Sequence, residues 1–327
     1  MKFTQLLLIF LLFLISLGVL ATSRGIDVAK SPVMGAGDGK YYALIIANAE
    51  YSDSTGVWQP LKTTITGAQG LARLLEESYQ FSDIKILENS TRREIILAMS
   101  ELNKKVKTGD NVLVYYAGHG FLDGNTDLGY WIPVDAQGKD HSTYIRNSTI
   151  RDELNVIARR ARHTLLISDS CFSGSLLQAD TRGAETFPID SHYYDKLANK
   201  KSVQIITAGG IEFVDDDYND TGLSPFTHFL INELKHNGAF RLSASELAHQ
   251  IKKAVSSNVS QTPQAGVLQG AGDELGEFIF VNIAFAIDRK TDKDSKPKDE
   301  KHRAKKAAGS EQGENQSIRR RLPLPVF

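Results

Sequence analysis

Sulfur is scarce in this chain of 327 residues, which holds one cysteine, Cys171, and three methionines. A single cysteine excludes an intrachain disulfide, so the thiol is not kept for stapling. By composition alone it would be a small buried hydrophobe; only its local sequence gives it another use. A dominant charge is lacking as well. The formal net charge is -1 and the pI is near 6.7, which gives no global attraction to nucleic acid or to an anionic membrane. No HExxH, CxxC or GxSxG is present, which removes the main support for a zinc peptidase or a serine hydrolase. One long apolar run stands apart from the rest: 16 residues from Leu6 to Ala21, after Met1-Lys2 and before polar Thr22-Ser23-Arg24. That is the layout of a secretory signal, with a cleavage point at Ala21 or Ser23. The run falls short of the roughly 20 residues a membrane span needs. Residues 1–23 are therefore expected to export the chain, secreted or periplasmic, with an uncleaved membrane anchor as the alternative.

What is present is an ordinary folded composition, 41% hydrophobic and 24% charged. Residues 24–39 read as a linker. Its cluster Gly35, Gly37, Gly39 with Lys40 precedes a strand instead of joining a strand to a helix, so it is no phosphate loop; GAGDELG (270–276) fails as a dinucleotide motif for the same reason. Between them, apolar runs alternate with segments of helical period. YYALIIA (41–47), Ile84–Leu87, VLVYYA (112–117), HTLLIS (163–168), Val203–Thr207 and EFIFV (277–281) read as strands. Helices are expected from the spacing of Ile65, Ala68, Leu71 and Leu75, after a capping signature at Ser90-Thr91 with Glu94, over Ile150–Ala161, over Pro225–Lys235 and over Ser243–Val255. Residues 178–201 show no sustained period and read as one long loop. This order predicts an α/β fold with a mostly parallel sheet and helices on both faces, filling one domain over residues 40–285. From Asp288 onward 12 Lys and Arg stand against 7 Asp and Glu, so 286–327 reads as a basic, solvated, disordered tail.

In an open α/β sheet, ligands sit outside the carboxyl ends of the strands. Two such ends carry chemistry. VLVYYA runs into Gly118-His119-Gly120, and HTLLIS runs into Asp169-Ser170-Cys171-Phe172-Ser173-Gly174. A cysteine nucleophile needs a base to ionise it and donors for the developing oxyanion. Cys171 supplies the sulfur, His119 the imidazole, and the backbone N–H groups of Gly120 and Cys171 an oxyanion hole. Of the eight histidines, only His119 is flanked by glycines at a strand end; His163 sits before its strand, at the wrong edge.

The segments ALIIANAEY (43–51), GDNVLVYYAGHG (109–120), GYWIPVDA (129–136) and LLISDSCFSG (165–174) resemble the caspase-like peptidases, in particular the metacaspase and paracaspase branch and its bacterial relatives. IITAGG (205–210), SPFTHFLINEL (224–234) and QTPQ (261–264) fit as well. His119 and Cys171 lie 52 residues apart, close to the roughly 50 known for caspases. The resemblance implies a caspase–haemoglobinase fold, an acyl-enzyme at the cysteine, protein or peptide substrates, and no cofactor for the cleavage itself, with calcium activation left open; the near-zero net charge adds the expectation of no nucleic-acid partner. It also implies that Asp169, two places before the cysteine, lines the pocket for a basic P1 residue. A buried carboxylate is costly unless paired, which agrees with a cationic substrate side chain; a turn-capping acid is the other reading of Asp169.

One departure stands out. Relatives carry a second pocket acid at the start of the first helix, where this chain has Thr66-Gly67-Ala68. Asp215-Asp216-Asp217 either restores charge near the site, binds calcium, or is a solvated loop. Arg182, Lys196, Lys200 and Lys201 are candidate self-cleavage points. A non-catalytic caspase-like interaction module is the competing reading of the whole chain.

Overall fold

The computed structural model describes residues 39–170, 176–178, 191–209, 216–268, 270 and 272–283. The first half of the chain runs β1 (Tyr41–Ala47), α1 (Thr64–Ser78), β2 (Phe81–Glu88), α2 (Arg92–Lys105), β3 (Asn111–Ala117), β4 (Gly120–Asp123), β5 (Leu128–Trp131), β6 (Ile145–Arg146) and α3 (Asn147–Ala158). The second half runs β7 (His163–Asp169), β8 (Leu177–Gln178), α4 (Ser191–Ala198), β9 (Ser202–Thr207), α5 (Pro225–Lys235), β10 (Arg241–Ser243), α6 (Ala244–Asn258), β11 (Gln264–Leu268) and β12 (Ile279–Val281). Seven strands form the central sheet in the order β2-β1-β3-β7-β9-β11-β8. The first five are mutually parallel; β11 pairs antiparallel with β9, and β8 pairs antiparallel with β11 and so runs in the direction of the first five.

The central strands are apolar on both faces because both faces are covered. Every residue of β1, β3 and β7 is buried. On one face Leu113, Tyr115 and Ala117 meet Leu71 and Leu75 of α1, Leu230 of α5 and Ile251 of α6. On the other Val112, Val114 and Tyr116 meet Met99 of α2 and Ile150 and Leu154 of α3. The period-2 pleat thus splits one sequence run between two cores. The expected capping box opens α2, with the Thr91 hydroxyl and the Glu94 carboxylate each bonding the other's backbone N–H.

The reading of 178–201 as one loop is corrected. Helix α4 falls inside it, and strand β8 ends on its first residue, Gln178. Helix α4 spans only eight residues, too few to display a period, yet Ala198 is buried and the Tyr194 hydroxyl donates to Glu246 at 2.8 Å. Helix α3 also begins three residues earlier than its apolar pattern, at Asn147. The last strand, β12, pairs with β10 outside the central sheet. GAGDELG acts as a brace: the Val203 N–H donates to Asp273 at 2.7 Å, and the Gly276 N–H to the Lys201 carbonyl at 3.1 Å. No helix among the described residues is long and apolar enough to cross a membrane; residues 1–23 and 286–327 lie outside the described residues.

Candidate active site

The sheet register decides what meets at its carboxyl edge. Ala117 of β3 pairs with Ala47 of β1 on one side and with Asp169 of β7 on the other. The Gly118 N–H continues the ladder to the Asp169 carbonyl at 3.4 Å. His119 therefore leaves β3 at the level where Asp169 and Ser170 leave β7. Cys171 and its N–H lie outside the described residues, one residue beyond buried Ser170.

Gly118 is glycine because there is no room for more. A Cβ there would stand 2.8 Å from the Tyr116 hydroxyl and 3.0 Å from that of Tyr51. Those hydroxyls hold the turn: the His119 N–H donates to Tyr51 Oη at 2.9 Å, and Tyr116 Oη donates to the His119 carbonyl at 2.8 Å. The His119 carbonyl also accepts the Ile132 N–H at 3.1 Å, starting the β4–β5 hairpin. Gly120 and Trp131 are then a non-hydrogen-bonded pair, so the Gly120 N–H points away from β5.

The His119 ring is half-buried, with the Tyr51 ring 4.8 Å and the Trp58 ring 5.5 Å from its centroid. Its Nε2 lies 2.7 Å from the Gln59 carbonyl. A carbonyl only accepts, so Nε2 carries the proton and, in the neutral ring, Nδ1 keeps the lone pair. Burial lowers the His119 pKa; the Gln59 carbonyl and the Asp216 carboxylate act in the opposite direction.

Asp169 is 7% exposed. Its Oδ2 accepts from the Ser224 hydroxyl and, at 2.6 Å, from the Thr227 hydroxyl. Thr227 also shares a 2.6 Å bond with the Tyr115 hydroxyl. Oδ1 is buried with no hydrogen-bond partner among the described residues. Burial pushes the Asp169 carboxyl up to about 6; the two hydroxyls pull it down, and Asp216 pushes it up again.

Gly67 lies against this group. A Cβ there would stand 2.9 Å from Cγ2 of Thr227, so the hydroxyl donor to Asp169 occupies the room a longer residue 67 would need. Asp216 reaches the same region: its Oδ2 accepts the Lys62 N–H at 2.7 Å, and the one Thr63 hydroxyl proton is shared between the Asp216 main-chain carbonyl and, at 2.9 Å, Oδ1. Asp217 accepts the Gly222 N–H at 3.0 Å, and Asp215 lies outside the described residues. No cluster of three His, Cys, Asp or Glu fit to hold a metal ion occurs among the described residues. Of the candidate processing points, Arg182 lies outside the described residues. Lys196 is on α4, and the Lys201 carbonyl accepts the N–H groups of Glu274 and Gly276.

The register thus brings His119, Gly120 and Asp169 to one edge and leaves His163 at the other. Sequence reasoning gave no role to Tyr51, Trp58, Gln59, Ser224 or Thr227. Tyr51, Ser224 and Thr227 fall inside segments already singled out by resemblance, which was the available signal. Gln59 acts through its main chain and left none.

A five-stranded parallel core, extended by antiparallel strands and carrying reactive side chains at its carboxyl edge, is the caspase–haemoglobinase fold. The sequence profile of the caspase domain family matches residues 40–268, and the chain belongs to that family, whose members are generally cysteine peptidases. Among solved structures, caspase-1 from Spodoptera frugiperda is similar at 15% identity and a TM-score of 0.50, over 71% of this chain and 88% of that one. A protein from Geobacter sulfurreducens is similar at 20% identity and a TM-score of 0.50, over 73% and 99%. No curated protein matches the sequence.

Proposed function

We propose that the chain is a cysteine endopeptidase that cleaves after a basic residue, with Cys171 as nucleophile and His119 as general base. The observation that carries this reading is the half-used imidazole. His119 is fixed through Nε2–H on the Gln59 carbonyl at the sheet edge where β7 runs on to Cys171. Nδ1 takes the Cys171 proton, and the thiolate attacks the scissile carbonyl carbon. The resulting oxyanion is met by the N–H groups of Gly120 and Cys171. Nδ1–H then protonates the leaving amine as the C–N bond breaks, and water hydrolyses the thioester with the same nitrogen as base. Asp169 Oδ1 receives the P1 ammonium or guanidinium, which explains a buried carboxylate left half-satisfied. The apolar segment 6–21 directs this activity outside the cytoplasm or tethers it there.

The test is hydrolysis of fluorogenic peptides matched except at P1, by the wild-type protein and Cys171→Ala. Turnover of Arg and Lys peptides that falls by about 10³-fold or more in the variant is expected. Equal turnover by the two proteins on every peptide overturns the assignment and returns the chain to an interaction module.

A further inference from the structure

The surroundings of Asp169 hold an imbalance of charge. Besides its two hydroxyl donors, the group acting on the Asp169 carboxylate is another carboxylate, Asp216, and no lysine or arginine among the described residues acts on Asp169 to offset it. Asp169 Oδ1 is buried without a hydrogen-bond partner among the described residues. Two like charges sharing a site, one of them desolvated, persist where a cation arrives to balance them.

The position of Asp216 is built. Thr63 is the N-cap of α1, and its carbonyl accepts the Gly67 N–H at 2.9 Å, closing the first turn. Asp216 grips that turn from outside through the Lys62 N–H and the Thr63 hydroxyl. Gly67 itself faces Thr227, the donor to Asp169. Lys62, Thr63, Gly67, Thr227, Ser224 and Asp169 thus form one continuous wall, with Asp216 seated one helical turn from Gly67. Oδ2 accepts one bond in this arrangement and Oδ1 at most the share of the Thr63 hydroxyl that its own main-chain carbonyl does not take, so each retains a lone pair. A side chain at position 67 cannot carry the second acid while Thr227 holds its place.

We propose that Asp216 supplies the second carboxylate of the substrate-cation pocket, from the loop before α5, in place of the acid that Gly67 excludes from α1. This rests on the reading of Asp169 as the P1 contact. Its consequence is a measurable split in specificity: Asp216 strengthens recognition of a cationic P1 side chain and has nothing to offer a neutral one.

The experiment compares kcat/KM of the full chain for peptides with P1 Arg and with a neutral P1 of similar length, such as norleucine. The proteins are wild type, Asp169→Asn, Asp216→Asn, Asp216→Glu and the triple variant Asp216→Asn, Gly67→Asp, Thr227→Ser, in which the serine removes the methyl that blocks position 67. The expected result is an Arg-to-norleucine ratio about tenfold lower in Asp216→Asn, largely kept in Asp216→Glu and regained in the triple variant. If Asp169→Asn collapses the ratio while Asp216→Asn leaves it at the wild-type value, with both substrates slowed alike or only the melting temperature lowered, Asp216 is a latch on α1. The proposal then fails while the P1 reading stands. If Asp169→Asn also keeps the wild-type ratio, the P1 reading fails and takes the proposal with it. Should wild type turn over no peptide, the affinity of the full chain for a peptide amide ending in arginine replaces kcat/KM. Loss of about tenfold in affinity in Asp216→Asn supports the proposal, and equal or absent binding overturns it.

Discussion

The two edges of the central sheet treat the same side chains in opposite ways. At the amino edge His163 is 3% exposed and both ring nitrogens are engaged, Nδ1 with the Ser202 hydroxyl at 2.8 Å and Nε2 with the Ala198 carbonyl at 3.0 Å. At the carboxyl edge His119 is half-buried and, among the described residues, engages Nε2 alone. The acids repeat the contrast. Asp110, at the amino edge, accepts a backbone N–H on each oxygen, from Lys40 at 2.9 Å and from Lys107 at 2.8 Å. Asp169, at the carboxyl edge, loads both its donors onto Oδ2 and leaves Oδ1 bare. Burial is similar for the two acids, 5% and 7% exposed, so burial does not separate structure from function here. Saturation differs: the amino-edge groups are fully bonded, as groups that hold a fold are, and the carboxyl-edge ones are half-bonded, as the proposed function requires.

The histidines give the widest test. His119→Ala is expected to lower kcat/KM by about 10³-fold with little change in melting temperature. His163→Gln is expected to do the reverse, keeping turnover and losing stability. The second half has a pH signature. Burial holds the His163 pKa at about 4, below its usual 6.5, so between those values the unfolded chain binds a proton that the folded one refuses. Its contribution to stability is complete above about 6.5 and is lost as pH falls towards 4. Asp169, with its pKa raised, works in the opposite direction over much of this window but is common to both proteins. The difference between wild type and His163→Gln in urea unfolding at pH 7 and pH 5 isolates the histidine. Wild type should lose more stability on acidification; identical losses would erase the distinction between the two edges.

The acids predict effects of opposite sign and smaller size. Asp110→Asn removes a charged acceptor from a satisfied pair and should cost about 1–2 kcal/mol at pH 7. Asp169→Asn removes a buried charge whose pKa of about 6 marks it as unwelcome, so it should raise stability at pH 7 by about 1 kcal/mol while abolishing preference for a basic P1. Below pH 4 the gain should vanish, because the wild-type carboxyl is then protonated in both states. Chemical denaturation of the two variants at pH 7 and pH 3.5 measures this directly. Destabilisation by both to the same extent would mean that Asp169 is a structural acid like Asp110.

The extent to which sequence exposed all this follows the same division. Strands β1, β3 and β7 announce themselves because burial on both faces demands unbroken apolar runs, and α2 because its capping box is written in two residues, Thr91 and Glu94. The meeting of His119 and Asp169 at one edge was legible because both follow directly from strand ends. What escaped was short or mediated by main chain. Helix α4 has too few residues for a period, β11 (QAGVL) begins on polar and small residues, and the β4–β5–β6 ladder is made of strands of two to four residues. The partners of the site escaped for a deeper reason. Ser224 and Thr227 are 55 and 58 residues from the acid they bond, and only tertiary folding makes them neighbours.

The narrowest comparison lies within the support of His119 itself, between a side-chain partner and a main-chain one. Tyr51 accepts the His119 N–H through its hydroxyl, so Tyr51→Phe leaves a part-buried donor unpaired at the turn that carries the imidazole. A loss of about tenfold in kcat is expected, with KM nearly constant, because the ring is misplaced and not the substrate. Gln59 holds Nε2–H through its carbonyl, a group every residue possesses. Its side chain only donates back to the Gly56 carbonyl at 2.6 Å. Gln59→Ala should therefore change kcat by less than about twofold, whereas Gln59→Pro, which forces the backbone geometry of the loop, should approach Tyr51→Phe or exceed it. Steady-state kinetics on the three variants decide the matter. An alanine variant as impaired as the proline one would show that the side chain, and not the carbonyl, positions the base.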